Sequence, residues 1–272
     1  MPSIPATTVP PGAWVDVRRR EAVTDVDVMA RLARHDVVLL GEQHDRADHH
    51  RWQLDTITSL QQRRAGLVLG FEMFPRRVQP ALERWSTGGL DEAEFLTASE
   101  WEQVWGFDAA LYMPLFRFAR VHRLKMVALN VDRATARQVA AQGFAAVPRE
   151  ARDGVGEPAP ASDPYRARLA EVFRMHPHAG SPDAPARFER FVRGQLFWDR
   201  AMAEAIADAR AAAPQAPVVA VLGRGHVEYG DGVPHQLAAL GIAAVATALP
   251  WDADADYPAG VADYLFGVAG AA

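Results

Sequence analysis

The stretch Val37-Val38-Leu39-Leu40-Gly41-Glu42-Gln43-His44 decides the fold that we expect for this chain. Its four apolar residues have the length and composition of a strand that is buried on both faces of a parallel sheet. A glycine ends the run, and a glutamate and a histidine follow directly. Because ligands of open α/β sheets bind at the carboxyl ends of the strands, we expect Glu42 and His44 to lie at a binding edge.

A second stretch far along the chain has the same construction. The apolar run 218–222 is followed by Gly223-Arg224-Gly225-His226. Two further runs also end in polar residues, since 67–71 leads into Glu72 and 125–129 leads into Asn130. Such endings indicate one site that is assembled from distant segments of the chain.

Strands and helices are expected to alternate along the sequence. Besides the four runs above, the patterns predict a strand at 242–249 and helices at 27–35, 49–64, 78–123 (in pieces), 164–174 and 186–213. This alternation predicts an α/β fold with a central, mainly parallel sheet that is flanked by helices. A Pro-, Ala-, Gly- and Asp-rich stretch then indicates a small helical and loop insert at about 145–190, the cover segment. We expect an N-terminal extension over 1–26 and a single α/β domain over 27–272.

Composition excludes several classes of function. The net charge is −5 and Lys125 is the only lysine, which gives no basic surface for nucleic acid. There is no cysteine, so disulfides, thiolate metal sites and lipid attachment through a lipobox cysteine are excluded. From residues 1–13 we expect no signal peptide, and no run of the sequence approaches the ~20 apolar residues of a membrane span. From the sequence we therefore expect a cytoplasmic protein without a membrane span.

The polar strand endings suit metal chemistry. Glu42, His44, Glu72 and His226 offer two carboxylates and two imidazoles, a ligand set that favours a divalent Zn-, Mn- or Co-type ion. Such an ion activates water or polarises a carbonyl, with a free carboxylate as the general base. On this hypothesis all four residues are metal ligands, and Glu42, Glu72 and His226 are also the catalytic groups.

Each of these residues also has a structural alternative. A buried Glu72 needs a partner, and a salt bridge to Arg76, Arg77 or another arginine would supply one. His226 would equally fit a hydrogen-bonded structural imidazole, and Asn130 would fit the chemistry of a turn.

Polar residues on two predicted helices extend the candidate site. His50 lies near the start of the 49–64 helix on its apolar stripe, where capping and packing are the alternatives. Gln195 and Asp199 interrupt the apolar stripe of the 186–213 helix, as lining residues or as a buried hydrogen-bond pair.

Aromatic residues form a further cluster, which either walls an apolar pocket or packs the helical layer: Trp101, Trp105, Phe107 and Tyr112. His176 and His178 flank a proline in the insert, and we expect them to be solvated.

With these residues in view, the chain resembles the ChaN family of haem-binding uptake proteins in the Tiki/TraB/erythromycin-esterase-like superfamily. The resemblance rests on VVLLGEQHDRADHHRWQLD (37–55), LVLGFEMFPRRVQPALERW (67–85), WGFDAALYMPLF (105–116), VALN (127–130), QLFWDRAMAEAI (195–206) and LGRGHVEYGDGVP (222–234). At superfamily level it implies that the Glu and His residues at the strand endings form the polar site.

For the ChaN branch, the resemblance implies haem in an apolar pocket, with paired haems between the subunits of a homodimer as one arrangement. Tyr112 and Tyr229 lie in the matching segments as candidate axial ligands, and His235, Tyr257 and Tyr264 are weaker ones. A tyrosinate or an imidazole suits ferric haem. The candidate cofactor-binding residues are His50, Tyr112, Asn130, Gln195 and Tyr229.

Three functions follow as hypotheses. The first is a cytoplasmic haem-binding protein of the ChaN type, with haem between the aromatics of 101–116 and the cover segment. The second is a metal-dependent hydrolase of ester, amide or peptide bonds at the same Glu/His site. The third is a binding module in which the polar groups form only a structural network. The chain departs from exported lipoproteins of the family because it lacks both a signal and a cysteine.

Overall fold

The sheet of the computed structural model, which describes residues 7–175 and 181–269, contains eight strands. They are β1 (Trp14–Asp16), β2 (Glu21–Val23), β3 (Val37–Glu42), β4 (Val68–Pro75), β5 (Lys125–Asn130), β6 (Val218–Gly223), β7 (Val245–Asp252) and β8 (Tyr264–Val268). Their order is β2-β1-β8-β7-β3-β6-β4-β5. All pairs from β8 to β5 are parallel, and β1 runs antiparallel to β2 and β8. The expectation of a mainly parallel sheet flanked by helices is confirmed.

Ten α-helices of the described residues accompany the sheet. They are α1 (Asp25–Leu32), α2 (Ala47–Arg63), α3 (Gln79–Ser86), α4 (Glu92–Ala98), α5 (Trp101–Val104), α6 (Ala109–Val121), α7 (Arg133–Gln142), α8 (Asp163–Arg174), α9 (Ala184–Ala212) and α10 (Val233–Ala239). None of them combines the length and the apolar character that crossing a bilayer requires.

Successive residues of the central strands face opposite helical layers, as the pleat of a strand requires. Val38 and Leu40 of β3 pack in the core that α1 to α6 cover, which also contains Phe71. Val37 and Leu39 pack in the second core, beneath α9 and α10. Both faces of the sheet are therefore apolar, which explains why the runs in the sequence are continuous rather than alternating.

Strand register places the polar endings level with one another. Glu42 of β3 pairs with Gly223 of β6, and Phe71 of β4 pairs with Val221 of the same strand. Glu72 therefore emerges beside Gly223, and Glu42 emerges on its other side. The carboxyl ends of β3, β6 and β4 form the edge that carries the candidate site.

The cover segment lies against α9 and α10. Its helix α8 packs through Tyr165 and Leu169 on Val192 of α9. Before α8, the backbone of Ala159 exchanges two hydrogen bonds with the side chain of Gln236 on α10, at 2.8 and 2.9 Å. His176 and His178 of the insert lie outside the described residues.

Several elements differ from the expectations. Residues 14–23, which the sequence sets apart in an N-terminal extension, add β1 and β2 to the sheet. Sequence patterns also missed β8, α7 and α10, because short strands and Ala-rich or polar helices carry weak periodicity. Helix α2 begins at Ala47, earlier than expected, and the carboxylate of Asp48 in its first turn binds Arg46, the residue that precedes the helix.

Candidate functional site

Glu42 and His44 form a carboxylate–imidazole pair at the end of β3. Oε1 of Glu42 accepts a hydrogen bond from Nδ1 of His44 at 2.7 Å. The glutamate is 1% exposed, whereas about a third of the His44 side chain is exposed. A carboxylate that engages one ring nitrogen fixes the orientation of the imidazole and leaves Nε2 as its free nitrogen.

Residues below the pair hold His44 in place. Its carbonyl oxygen accepts a hydrogen bond from the hydroxyl of Tyr112 and contacts Nε2 of His50, both at 3.2 Å. The rings of Trp105 and Phe107 flank its imidazole edge-on, with centroids 4.6 and 5.2 Å away. His44 is thus fixed through both its backbone and its ring.

A second pair forms around His226, just past the end of β6. Nδ1 of His226 lies 2.6 Å from Oδ1 of Asp199, which is fully buried on α9. Nε2 of the same ring lies 3.4 Å from Oε1 of Glu72. The other oxygen of Glu72 accepts a hydrogen bond from the amide of Gly223 at 2.5 Å. His226 therefore bridges two buried carboxylates.

These contacts set the charges of the site. Burial alone would lower the pKa of His226, but Glu72 and Asp199 outweigh it and raise the pKa to about 10. For Glu72, burial acts to raise the pKa, whereas His226, His44 and the Gly223 amide bring it to about 2. Burial also opposes protonation of His44, but the bond to Glu42 leaves its pKa above the ordinary value. These contacts therefore favour the imidazolium form of His226.

Gly223 lets the two pairs approach each other. A Cβ atom at this position would lie 2.8 Å from Cε1 of His44 and 3.4 Å from Oε2 of Glu72. Any larger residue would push the imidazole of His44 away from the carboxylate of Glu72. The glycine that ends the apolar run of β6 is therefore required by side-chain packing in the site.

A cavity of about 520 Å³ opens above the two pairs. Its lining residues come from the ends of the strands, the loop before α6, the start of α7 and the middle of α9: His44, Glu72, Met73, Pro75, Arg77, Gln103, Val104, Trp105, Phe107, Asn130, Val131, Asp132, Arg133, Ala134, Thr135, Gln195, Trp198 and His226. The volume lies within the range of about 300–1,000 Å³ that is typical of small-molecule sites. The lining combines the aromatic side chains of Trp105, Phe107 and Trp198 with the imidazoles of His44 and His226 and the carboxylates of Glu72 and Asp132.

The expectation of a divalent metal is not supported. Among residues 7–175 and 181–269, no group of three or more His, Cys, Asp or Glu side chains is arranged to hold a metal ion. Glu42, His44, Glu72 and His226 do come together, but they are engaged with one another as the two pairs described above. The described residues thus give no support for the Zn-, Mn- or Co-type ion of the hydrolase hypothesis.

Three of the expected cofactor-binding residues do not line the cavity. Tyr112 is fully buried, and its hydroxyl contacts Glu42 and the carbonyl oxygen of His44. His50 is 3% exposed and contacts that same carbonyl. Tyr229 lies under the guanidinium of Arg168, 4.2 Å from its ring centroid. Tyr112 and His50 support the site from below, and Tyr229 stands apart from the cavity.

The other two expected residues, Asn130 and Gln195, do line the cavity. Asn130 also serves its turn, because its side-chain oxygen accepts a hydrogen bond from the amide of Val131 at 2.9 Å. Asp199, one turn further along α9 than Gln195, takes the buried hydrogen-bond role with His226. Of the two alternatives that the sequence left open, Gln195 therefore lines the cavity, whereas Asp199 takes part in a buried hydrogen bond.

The salt-bridge alternative for Glu72 is not observed. Arg76 donates instead to the carbonyl oxygens of Asp153 and Ala201, and Arg77 binds the carboxylates of Glu100 and Asp132.

The aromatic cluster was expected either to wall an apolar pocket or to pack the helical layer, and it does both. Its members differ in role, since Trp105 and Phe107 line the cavity while Trp101 and Tyr112 pack in the helical layer.

The cover segment reaches the site only indirectly. No described residue of 145–190 lines the cavity, contrary to our expectation that this segment walls the pocket. Tyr165 of α8 instead donates from its hydroxyl to Oδ2 of Asp199 at 2.7 Å. Trp198 of α9 and Arg133 at the start of α7 also line the cavity, and sequence reasoning did not single them out.

Solved structures of other proteins share this fold. A structure described as cofacial heme binding to ChaN of Campylobacter jejuni is 17% identical, with a TM-score of 0.75, and the match covers 93% of this chain and 95% of that one. The erythromycin esterase EreC, in a mutant form, is 13% identical with a TM-score of 0.53, covering 87% of this chain and 76% of that one. The type III effector HopBA1 is 12% identical with a TM-score of 0.51, covering 98% and 99% of the two chains. At these identities the likeness concerns the fold alone.

No protein of curated function matches the chain. A family model described as "Haem-binding uptake, Tiki superfamily, ChaN" matches residues 28–237, which span both polar strand endings and the cavity between them. The chain belongs to this ChaN family of haem-binding uptake proteins in the Tiki superfamily.

Proposed function

We propose that the protein binds haem in the cavity above the two carboxylate–imidazole pairs. The observation that carries the proposal is a partly exposed imidazole, His44, that lines a cavity together with the aromatic side chains of Trp105, Phe107 and Trp198. Membership of a haem-binding family supports the choice of ligand. Haem, when bound, supplies an iron centre for transport or redox chemistry, and the residues of this chain supply its binding and electrostatics.

The walls of the cavity suit the faces of a porphyrin. Trp105 and Phe107 contact the ring of His44 edge-on, and Trp198 of α9 is a further aromatic residue of the lining. Met73 and Val131 add apolar surface. Aromatic and apolar walls with a few directed polar groups are what a planar, largely apolar cofactor requires.

Cationic residues at the cavity suit the carboxylates of a haem. Arg133 lines the cavity at the first position of α7, and it forms no ion pair among the described residues. Arg77 also lines the cavity, but Glu100 and Asp132 already occupy its guanidinium. We therefore assign the main anion-binding role to Arg133.

His44 is the group that we propose for the iron. Its Nε2 has no hydrogen-bond partner among the described residues, while its Nδ1 is bound to Glu42. A carboxylate that binds one ring nitrogen increases the basicity of an imidazole that ligates a metal through the other nitrogen. No tyrosine lines the described part of the cavity, so Tyr229 would have to bind haem at a different surface.

Titration of the purified protein with ferric haem tests the proposal. A saturable change of the haem absorption band at stoichiometric haem, weakened in a His44→Ala variant, is the expected result. An unchanged haem spectrum at micromolar protein would overturn the proposal. A spectrum lost in Tyr229→Phe but kept in His44→Ala would move the site to the surface around Tyr229. The stoichiometry also tests the expectation of haems paired in a homodimer.

Hydrolysis of an ester or amide bond is a second candidate, and the Glu42–His44 pair favours it. An imidazole that is oriented by a buried carboxylate and faces a cavity is suited to remove a proton from water. Glu72 lies on the other side of Gly223 with its charge held by His226. A panel of chromogenic esters and amides tests this candidate, since turnover should disappear in His44→Gln and in Glu72→Gln. Turnover that survives both substitutions would reject the site.

A further inference from the structure

Two buried tyrosines stand behind the two imidazoles of the cavity in the same way. The hydroxyl of Tyr112 contacts Oε1 of Glu42 at 3.3 Å, and that oxygen accepts from His44. The hydroxyl of Tyr165 donates to Asp199 at 2.7 Å, and the other oxygen of Asp199 engages His226 at 2.6 Å. Each imidazole is thus held by a carboxylate that a tyrosine hydroxyl contacts from behind.

The two tyrosines belong to different parts of the fold. Tyr112 belongs to α6 of the helical layer, whereas Tyr165 belongs to α8 of the cover segment. The cover segment contributes no described residue to the cavity lining. The contact between the hydroxyl of Tyr165 and Asp199 therefore connects α8 to the cavity.

We propose that Tyr165 is a positioning residue of the cavity, which fixes Asp199 from the cover segment and thereby holds the imidazole of His226 against Glu72. The proposal rests on the proposed function only in taking the cavity as the ligand site. Tyr165 touches no cavity space itself and acts through Asp199.

Burial makes the hydroxyl of Tyr165 important to the network. Tyr165 is 3% exposed and Asp199 is fully buried, so no bulk water replaces a missing donor. Burial and the neighbouring Asp199 raise the pKa of Tyr165 far above its ordinary value, which keeps the proton on the hydroxyl. Without this donor, one oxygen of Asp199 would lose its hydrogen bond in a dry environment, a costly state for a carboxylate.

Gly232 closes the remaining side of the network. A Cβ atom there would lie 2.6 Å from the carbonyl oxygen of His226 and 3.1 Å from Oδ1 of Asp199. Its φ of +60° also favours glycine. The loop before α10 is therefore packed directly on the Asp199–His226 contact, and little space remains for Asp199 to choose another rotamer.

Nuclear magnetic resonance of the 15N-labelled protein without haem tests the proposal at one fixed pH. The readout is the Nδ1 proton of His226, identified as the imidazole signal that a His226→Gln variant lacks. In Tyr165→Phe we expect this signal to shift and its proton to exchange with water about tenfold faster, the effect of losing one hydrogen bond. An unchanged signal in Tyr165→Phe would overturn the proposal. Because no haem is present, this outcome is independent of whether the protein binds haem.

Two control variants separate the hydroxyl from general packing. Leu169→Ala loosens α8 on α9 without touching the network, and it should lower the melting temperature while leaving the His226 signal in place. Tyr112→Phe removes the matching hydroxyl and should move the signals of His44 but not those of His226. Equal effects of Leu169→Ala and Tyr165→Phe on the His226 signal would overturn the proposal.

A further measurement covers the case in which Tyr165→Phe does not fold. Replacing the tyrosines of the wild-type chain by 3-fluorotyrosine keeps every hydroxyl but changes its strength as a donor. The His226 signal should then move in the folded protein. A signal at the wild-type position would contradict a role for the Tyr165 hydroxyl.

Discussion

His226 and Asp199 meet at 2.6 Å between Nδ1 and Oδ1, although one follows strand β6 and the other lies on helix α9. Asp199 is fully buried and His226 is 8% exposed, so this contact forms in a nearly dry environment. It places a buried positive charge beneath the cavity, where Glu72 supplies the second negative partner. The charge state of the site therefore depends on pH in a defined way.

Alkaline pH should weaken the fold through His226. Its pKa is about 10 in the folded protein and near 6.5 when unfolded, so its stabilising effect is complete below pH 6.5 and is lost as pH rises through 10. Between these values the free energy of unfolding should fall by about 1.4 kcal/mol per pH unit on account of this group. Urea unfolding of the wild type at pH 7, 8.5 and 10 measures the slope.

A His226→Gln variant is the control for that slope. It removes the titrating group and keeps a hydrogen-bonding side chain, so its stability should depend less on pH in the same window. Parallel curves for the two proteins would show that His226 carries no buried positive charge.

Gly223→Ala tests the close approach of the two pairs. The added methyl group would meet the ring of His44 at 2.8 Å, so we expect the imidazole to be displaced and haem affinity to fall about tenfold or more, about 1.4 kcal/mol. Gly225→Ala is the matched control, because a Cβ atom there meets nothing within 4 Å. Haem titration of both variants measures the effect. Similar affinities in the two variants would contradict the arrangement.

Arg133→Glu tests the anion-binding side of the cavity. Reversing a charge next to the haem carboxylates should weaken haem binding and reduce its dependence on salt concentration. Arg137→Glu changes the same charge on the same helix, at an exposed position that does not line the cavity. Equal losses of affinity in both variants would indicate a general effect of charge.

Gln79→Ala tests how the edge of the sheet is protected. The amide of Gln79 donates to the carbonyl of Met126 at 2.9 Å and accepts from the amide of Ala128 at 2.8 Å, both on the edge strand β5. Loss of the Gln79 side chain should lower the free energy of unfolding by about 1–3 kcal/mol and expose an unpaired strand edge. Thermal unfolding and light scattering measure the two effects, with the exposed Gln138→Ala of α7 as the control. Unchanged stability and solubility would show that the edge does not depend on Gln79.

The sequence was sufficient to predict the parallel core and the edge of the sheet at which the polar strand endings meet. The runs that end at Glu42, Glu72 and His226 are continuous and apolar, and such runs fix both the strand and the edge where it stops. The parallel register then brings the endings together without further information. Asp199 could be singled out as well, since it interrupts an apolar stripe.

The pairing within the site could not be predicted from the sequence. A set of two carboxylates and two imidazoles fits a metal ion as well as two separate pairs, and only distances distinguish these cases. Tyr112 was expected as a haem ligand because it lies in a matching segment, but its helix turns the hydroxyl into the core beneath Glu42. Tyr165 lies in the predicted helix at 164–174, but no pattern in the sequence linked this helix to His226.

A structure of the protein with ferric haem bound would show whether the cavity is the haem site. We expect the porphyrin to lie in the cavity against Trp105 and Trp198, with Nε2 of His44 as the nitrogen that faces the iron. A porphyrin bound outside this cavity, with the iron on Tyr229 or another tyrosine, would contradict this expectation.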